Sequence, residues 1–250
     1  MNFDALDAGI IGPAFAAGLV VLATHIPLGQ RVLERGIIFI DLAIAQLAGL
    51  GVIAAHYFGL HGHGPATQLA AYATALVSAA LLYLCERRWP QVQEAIIGSC
   101  FMLAATGSLL LLAGDPAGGE HLRELLVGQI LWVGFQQLVV PILITVLVLL
   151  AWVVLSTAQR QLAFYLLFAI AVTCSVQLVG VYLVFASLII PALAVRFLEV
   201  ERQLTWGYLL GGLGYLFGLL ISAGFDLPSG PTIVWSLAGV GLLAVQLRRV

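Results

Sequence analysis

The sequence predicts an all-α polytopic membrane protein: a bundle of about eight to nine transmembrane helices forming one domain over residues 1–250. Three observations carry this. First, 62% of the residues are apolar and 9% are charged, where a soluble domain carries about 25% charged residues. The mean hydropathy is +1.10. A chain this apolar cannot cover itself with polar surface, so the bilayer is its solvent. Second, apolar runs alternate with short polar breaks, and many of the runs reach the roughly 20 residues that a span needs. Third, the ten basic residues, all arginine, are distributed unevenly among the breaks.

The runs place spans at 9–28, 36–58, 67–85, 94–113, 138–157, 161–178, 180–197, 204–223 and 231–247. The first follows MNFDALDAG, which is acidic and lacks a basic n-region, so it is expected to persist as a span rather than be cleaved. HGHGP at 61–65, GDPAGG at 114–119 and GFDLPSGP at 224–231 supply the turn residues between runs. With the N-terminus outside, every arginine except Arg123 falls on the cytoplasmic side, and the C-terminus is cytoplasmic too. Residues 161–197 are the ambiguous stretch, because two spans meeting at Gly180 leave almost no loop. Nine crossings are favoured there, with eight as the alternative. EHLRELLVGQILWVGFQQ at 120–137 is amphipathic and too broken to span, so it is expected to lie at the outer interface. Glycines 207, 211, 214 and 218 allow close helix packing, either within one subunit or across a dimer.

The same composition excludes several function classes. A net charge of −2 gives no attraction for nucleic acid. The chain contains no GxxxxGK[ST], so it cannot power itself with ATP. It also lacks HExxH and GxSxG, and an enzyme is not expected. The three cysteines, Cys85, Cys100 and Cys174, sit singly in apolar runs, as inert buried thiols do. No tightly bound cofactor is expected.

Asp41 is the first candidate site residue. A carboxylate five residues into the second span is costly to insert, and such residues commonly mark an ion or substrate route. The alternative is a structural anchor paired with Arg35 or a neighbouring helix end. Ala45, Ala48 and Val52 share its helical face. Gln46 lies well round the helix, where it suits an interhelical hydrogen bond or, less directly, a co-ligand. His61 and His63 form an HxH loop that is either simply solvated or a weak Zn²⁺ or Cu²⁺ site. His121 with Glu120 and Glu124 is a further outer candidate. His56 lies about 22 Å along the helix from Asp41, too far to share one ion. His25 is expected to cap or pack.

Several stretches together resemble the permease subunits of zinc/manganese/iron-type metal ABC importers, the zinc-uptake permease family. They are RGIIFIDLAIAQLAG at 35–49, EAIIGSCFMLAATGSLLLL at 94–112, LLVGQILWV at 125–133, VGVYLVFASLIIPALAVR at 179–196 and FDLPSGPTIV at 225–234. The likeness runs in order over nearly the whole chain. It implies a homodimer in the inner (plasma) membrane with a cytoplasmic ABC ATPase below and a periplasmic or surface metal-binding protein above. It also implies a transported divalent metal, zinc first, with manganese and iron as alternatives, and ATP bound on the partner. Asp41 matches the family's second-helix aspartate. Ala45 stands where the family has a histidine one turn later. The inner loop STAQRQ at 156–161 is shorter than the family's, and Arg160 and Gln161 are the nearest candidates for touching the ATPase. The rival expectation is an ATP-independent cation carrier or channel using Asp41 and Asp226.

Overall fold

A computed structural model describes residues 8–59, 64–116, 118–155 and 160–247, and among these there is no strand. The helices are α1 (Ala8–Arg35), α2 (Ile40–Tyr57), α3 (Pro65–Arg88), α4 (Gln93–Leu112), α5 (Gly118–Val127), α6 (Val139–Val154), α7 (Arg160–Val179), α8 (Val181–Val195), α9 (Val200–Phe225) and α10 (Ser229–Leu247). Among the described residues eight stretches are long and apolar enough to cross a membrane, while α8 is apolar but shorter.

Local chemistry sets several boundaries. Pro65 opens α3, where its missing N–H costs nothing. Hydropathy ends the first span near residue 28, yet α1 continues through Pro27 to Arg35. Proline removes the bond to the carbonyl four residues back. That carbonyl, Ala23 O, instead accepts a hydrogen bond from the Tyr208 hydroxyl at 3.0 Å. The turn after α1 is made at Gly36 (φ +70°), so α2 begins at residue 40 rather than 36. Residues 120–137 are not one segment. They form α5, a turn at Gly128 and two short 3-10 turns at 130–132 and 135–138.

The α9 glycines are used inside the subunit. A Cβ at Gly207 or Gly211 would press on Ile26 or Leu22 of α1, and one at Gly214 or Gly218 would press on Leu237 or Ile233 of α10. Both series run in opposite senses, so α9 is antiparallel to α1 and to α10. The α7–α8 junction turns on Gly180, at φ +80° and ψ 163°, a region open essentially to glycine alone. Gly180 lies backbone to backbone against Gly128 (φ +67°), and Gly230 at the start of α10 meets the Val127 carbonyl. Ile190 and Ala194 of α8 then reach Gly241 of α10. Helix α8 therefore runs beside α10 from the same end and in the same direction. Its 15 residues span about 22 Å, short of a ~30 Å hydrocarbon core. The expected span at 180–197 is thus a shorter helix, and the count of long apolar helices among the described residues is the alternative, eight.

Burial separates the helices into two classes. In the span windows of α2 and α7, 61% and 67% of residues are buried, against 11% for the span that contains α6. Helix α6 turns Val139, Leu143, Val146, Leu147, Leu150 and Val154 outward, the composition of a lipid-facing surface. Helix α2 runs through the middle and packs against α3, α4, α7 and α8.

Candidate functional site

Asp41 sits in the first turn of α2 rather than a turn and a half inside it. The correction follows from the Gly36 turn, which hydropathy cannot see because residues 37–40 are apolar. A helix N-terminus carries partial positive charge and favours a carboxylate there. The Phe39 amide just ahead of the helix donates to Glu94 Oε1 of α4 at 3.2 Å, which fixes where α2 begins. Asp41 itself is 1% exposed, and neither carboxylate oxygen has a hydrogen-bond partner among the described residues.

The structural alternative, an Asp41–Arg35 pair, is not formed. The Arg35 guanidinium lies 3.7 Å from Glu86 of α3 and 4.3 Å above the Phe164 ring of α7. Next to it Gln93 Nε2 donates to the Tyr165 hydroxyl. Arg35, Glu86, Gln93, Glu94, Phe164 and Tyr165 thus join one end of α1, α3, α4 and α7 around the start of α2. Arg31, Arg87 and Arg88 lie at this arginine end, as do the end of α8 with Arg196 and the start of α9 with Arg202.

Ala45 and Ala48, on the Asp41 face, are buried and lead along α2 to Val52. Val52 lines a cavity of about 920 Å³ at the opposite end of the bundle. Val52 is eleven residues from Asp41, about 16 Å along the axis. The cavity lies among the ends of α2, α4 and α7, the start of α3, and α5 with its following turns. Its polar groups include His56, Asp115, Glu124, Gln129 and Gln177. Gln129 Nε2 donates to Glu124 Oε1 at 2.9 Å. Among the described residues no group of three His, Cys, Asp or Glu is gathered as a metal site.

The remaining candidates are dispersed. Gln46 is buried on α2 at 8% exposure. His61 and His63 lie outside the described residues, between Tyr57 and Thr67, which line the cavity. Arg160 opens α7, and Gln161 beside it is exposed at the arginine end. Residues 156–159 lie outside the described residues, as does the side chain of His121. His25 is fully buried in α1, its Nδ1 2.9 Å from the Val21 carbonyl and 3.1 Å from Thr24 Oγ1. It packs, as expected. Asp226 is exposed at the end of α9, in a left-handed conformation (φ 54°), and does not meet Asp41. Cys174 is buried and the other two cysteines are half-buried, all unbridged. The cavity was not foreseen as a unit. Its carboxamides come from separate elements, and the one local signal was Gln177, a polar residue near the end of an apolar run.

The chain matches the ABC 3 transport family over residues 7–162 and 153–248. It belongs to that family. Among characterised folds, the permease is similar to a chain of PsaBC from Streptococcus pneumoniae solved with a Fab, at 18% identity and a TM-score of 0.77. That match covers 98% of this chain and 95% of the other. It is also similar to a structure described as an inward-facing conformation of a metal-chelate type ABC transporter, at 19% identity and a TM-score of 0.65, covering 95% and 85%. An uncharacterised membrane protein of Synechocystis is 25% identical over 269 residues, covering 98% of the permease and 93% of the relative.

Proposed function

We propose that this ABC 3 family chain is the permease subunit of an importer for a divalent metal ion, with zinc first, then manganese or iron. It would act as a homodimer in the inner membrane, with ATP hydrolysed on a separate cytoplasmic subunit and metal delivered by a periplasmic or surface binding protein. The observation that carries the reading is Asp41: a carboxylate on the central helix, enclosed by protein and without a hydrogen-bond partner among the described residues. A structural anchor would hold its charge in a pair, as Arg35 and Glu86 do. An ion station keeps its oxygens for the cargo. Further support comes from family membership and from the fold shared with a transporter described as metal-chelate type.

Arginine placement orients the protein. The arginine end holds the basic residues named above and is taken as cytoplasmic. The cavity, near Arg123 of α5, then opens outward. Gln161, next to the start of α7, is exposed at the arginine end, where a motor would dock. The cargo would enter the cavity and descend the Ala48–Ala45 face of α2 to Asp41. Because Asp41 is enclosed by its own helices, a cation reaches it only when those helices part, and ATP-driven movement would supply that opening. The ionised carboxylate would replace part of the hydration shell with a fixed oxygen, weakly enough for release.

The test is reconstitution. Zinc or manganese uptake into liposomes is expected only with the ATPase subunit and ATP present. Uptake by the purified chain alone would instead establish the self-sufficient carrier.

A further inference from the structure

Among its described lining residues, the outer cavity is too large and too sparsely liganded to take hold of a bare ion. Six waters around a divalent cation occupy about 180 Å³ at roughly 30 Å³ each, and the cavity, open on one side and lined by exposed polar side chains, offers about 920 Å³. Inner-sphere capture needs several ligands converging on one point, and among the described residues no three His, Cys, Asp or Glu do so.

Waters bound to a cation present their hydrogens outward, so a hydrated ion is recognised by hydrogen-bond acceptors spaced around a wide volume. The cavity provides them. The carboxylates of Asp115 and Glu124 and the carboxamides of Gln68, Gln129 and Gln177 line it from α3, α5, α7 and the flanking turns. Gln129 Nε2 holds one oxygen of Glu124 at 2.9 Å, which orients the carboxylate and leaves its second oxygen and the Gln129 carbonyl for other donors. Towards the other end lies Asp41, about 16 Å further along α2 beyond the packed Ala45–Ala48 stretch, its carboxylate oxygens without a hydrogen-bond partner among the described residues.

We propose that the outer cavity binds the cation by its intact hydration shell, through outer-sphere hydrogen bonds to Glu124 and the surrounding carboxamides, and that dehydration is deferred to Asp41. The assignment of cargo and sidedness rests on the importer reading above, whereas the binding itself is testable without transport.

Hexaamminecobalt(III) tests it, because its six ammine ligands donate outward as bound waters do and do not exchange. Equilibrium dialysis of the full-length chain, in neutral detergent at physiological salt, is expected to show saturable binding of about one complex per chain. Glu124→Gln is expected to weaken binding at least fivefold, and Gln177→Leu, which keeps all carboxylates, at least threefold. Glu34→Gln, which removes an acidic group on the opposite surface, is expected to leave it within twofold. Absence of saturable binding would overturn the proposal, as would equal loss in Glu34→Gln and Glu124→Gln, the signature of bulk charge. The two readings fail separately. Metal uptake without hexaamminecobalt binding removes the outer-sphere site and leaves the importer. Site-specific binding without ATP-driven uptake of any metal does the reverse.

Discussion

The two ends of the bundle are held together by different physics. At the arginine end, side chains do the work: Arg35 lies between Glu86 and Phe164, Gln93 donates to Tyr165, and Glu94 receives the Phe39 amide. At the other end, backbones do it: Gly128, Gly180 and Gly230 bring the turn after α5, the α7–α8 junction and the start of α10 into direct contact. Beside that clasp lies the cavity, while the arginine end closes over Asp41. A polar cluster can open and re-form as charges and hydrogen bonds exchange partners. A glycine clasp is a fixed pivot with no side chain to rearrange. The contrast suits a protein whose arginine end moves about a stiff cavity end.

The largest effect expected from breaking this contrast is at the clasp. Gly180→Ala puts a side chain into a conformation reserved for glycine, costing about 1–3 kcal/mol before steric overlap with Gly128 is added. Membrane levels of folded protein, read by detergent size-exclusion profile, should fall several-fold. Next comes the α9 seam. Gly218→Leu meets the Ile233 backbone and should lower Tm clearly, whereas Gly212→Leu, with open space at its Cβ, should leave it unchanged. At the arginine end, Glu86→Gln removes one partner of a pair whose side chains are 28% and 18% exposed. A loss of about 1–2 kcal/mol, between the values for exposed and buried pairs, is expected in denaturant titrations. The smallest effect is at Arg31 and Glu34, which are 2.8 Å apart but about half exposed. Glu34→Gln should change stability by less than about 0.5 kcal/mol.

Much of this was legible in the sequence, and the exceptions share a cause. The helical membrane fold, the turn at Gly180 and the tight packing of the α9 glycines follow from hydropathy and residue size. The misplaced boundaries involve groups that meet only in three dimensions. Helix α1 passes Pro27 because Tyr208, 181 residues later, satisfies the orphaned Ala23 carbonyl. Asp41 lies in the first turn of α2 because the chain turns at Gly36 and the Phe39 amide is held by Glu94, 55 residues later. At the site, Asp41 stood out because an acid in an apolar run is conspicuous by itself. The cavity did not, because Gln68, Gln129 and Gln177 are individually unremarkable and acquire meaning only where α3, α5 and α7 converge.

The central claim is that Asp41 is a station for cargo rather than an anchor. It is tested most directly by measuring metal accumulation under zinc and then manganese starvation, in cells carrying the intact chain or Asp41→Asn at matched membrane levels. The account predicts accumulation of one metal with the intact chain, a drop of at least tenfold with Asp41→Asn, and an unchanged or raised Tm, since the replaced carboxylate had no partner to lose. Accumulation that survives Asp41→Asn, or a loss explained by a collapsed Tm, would contradict it.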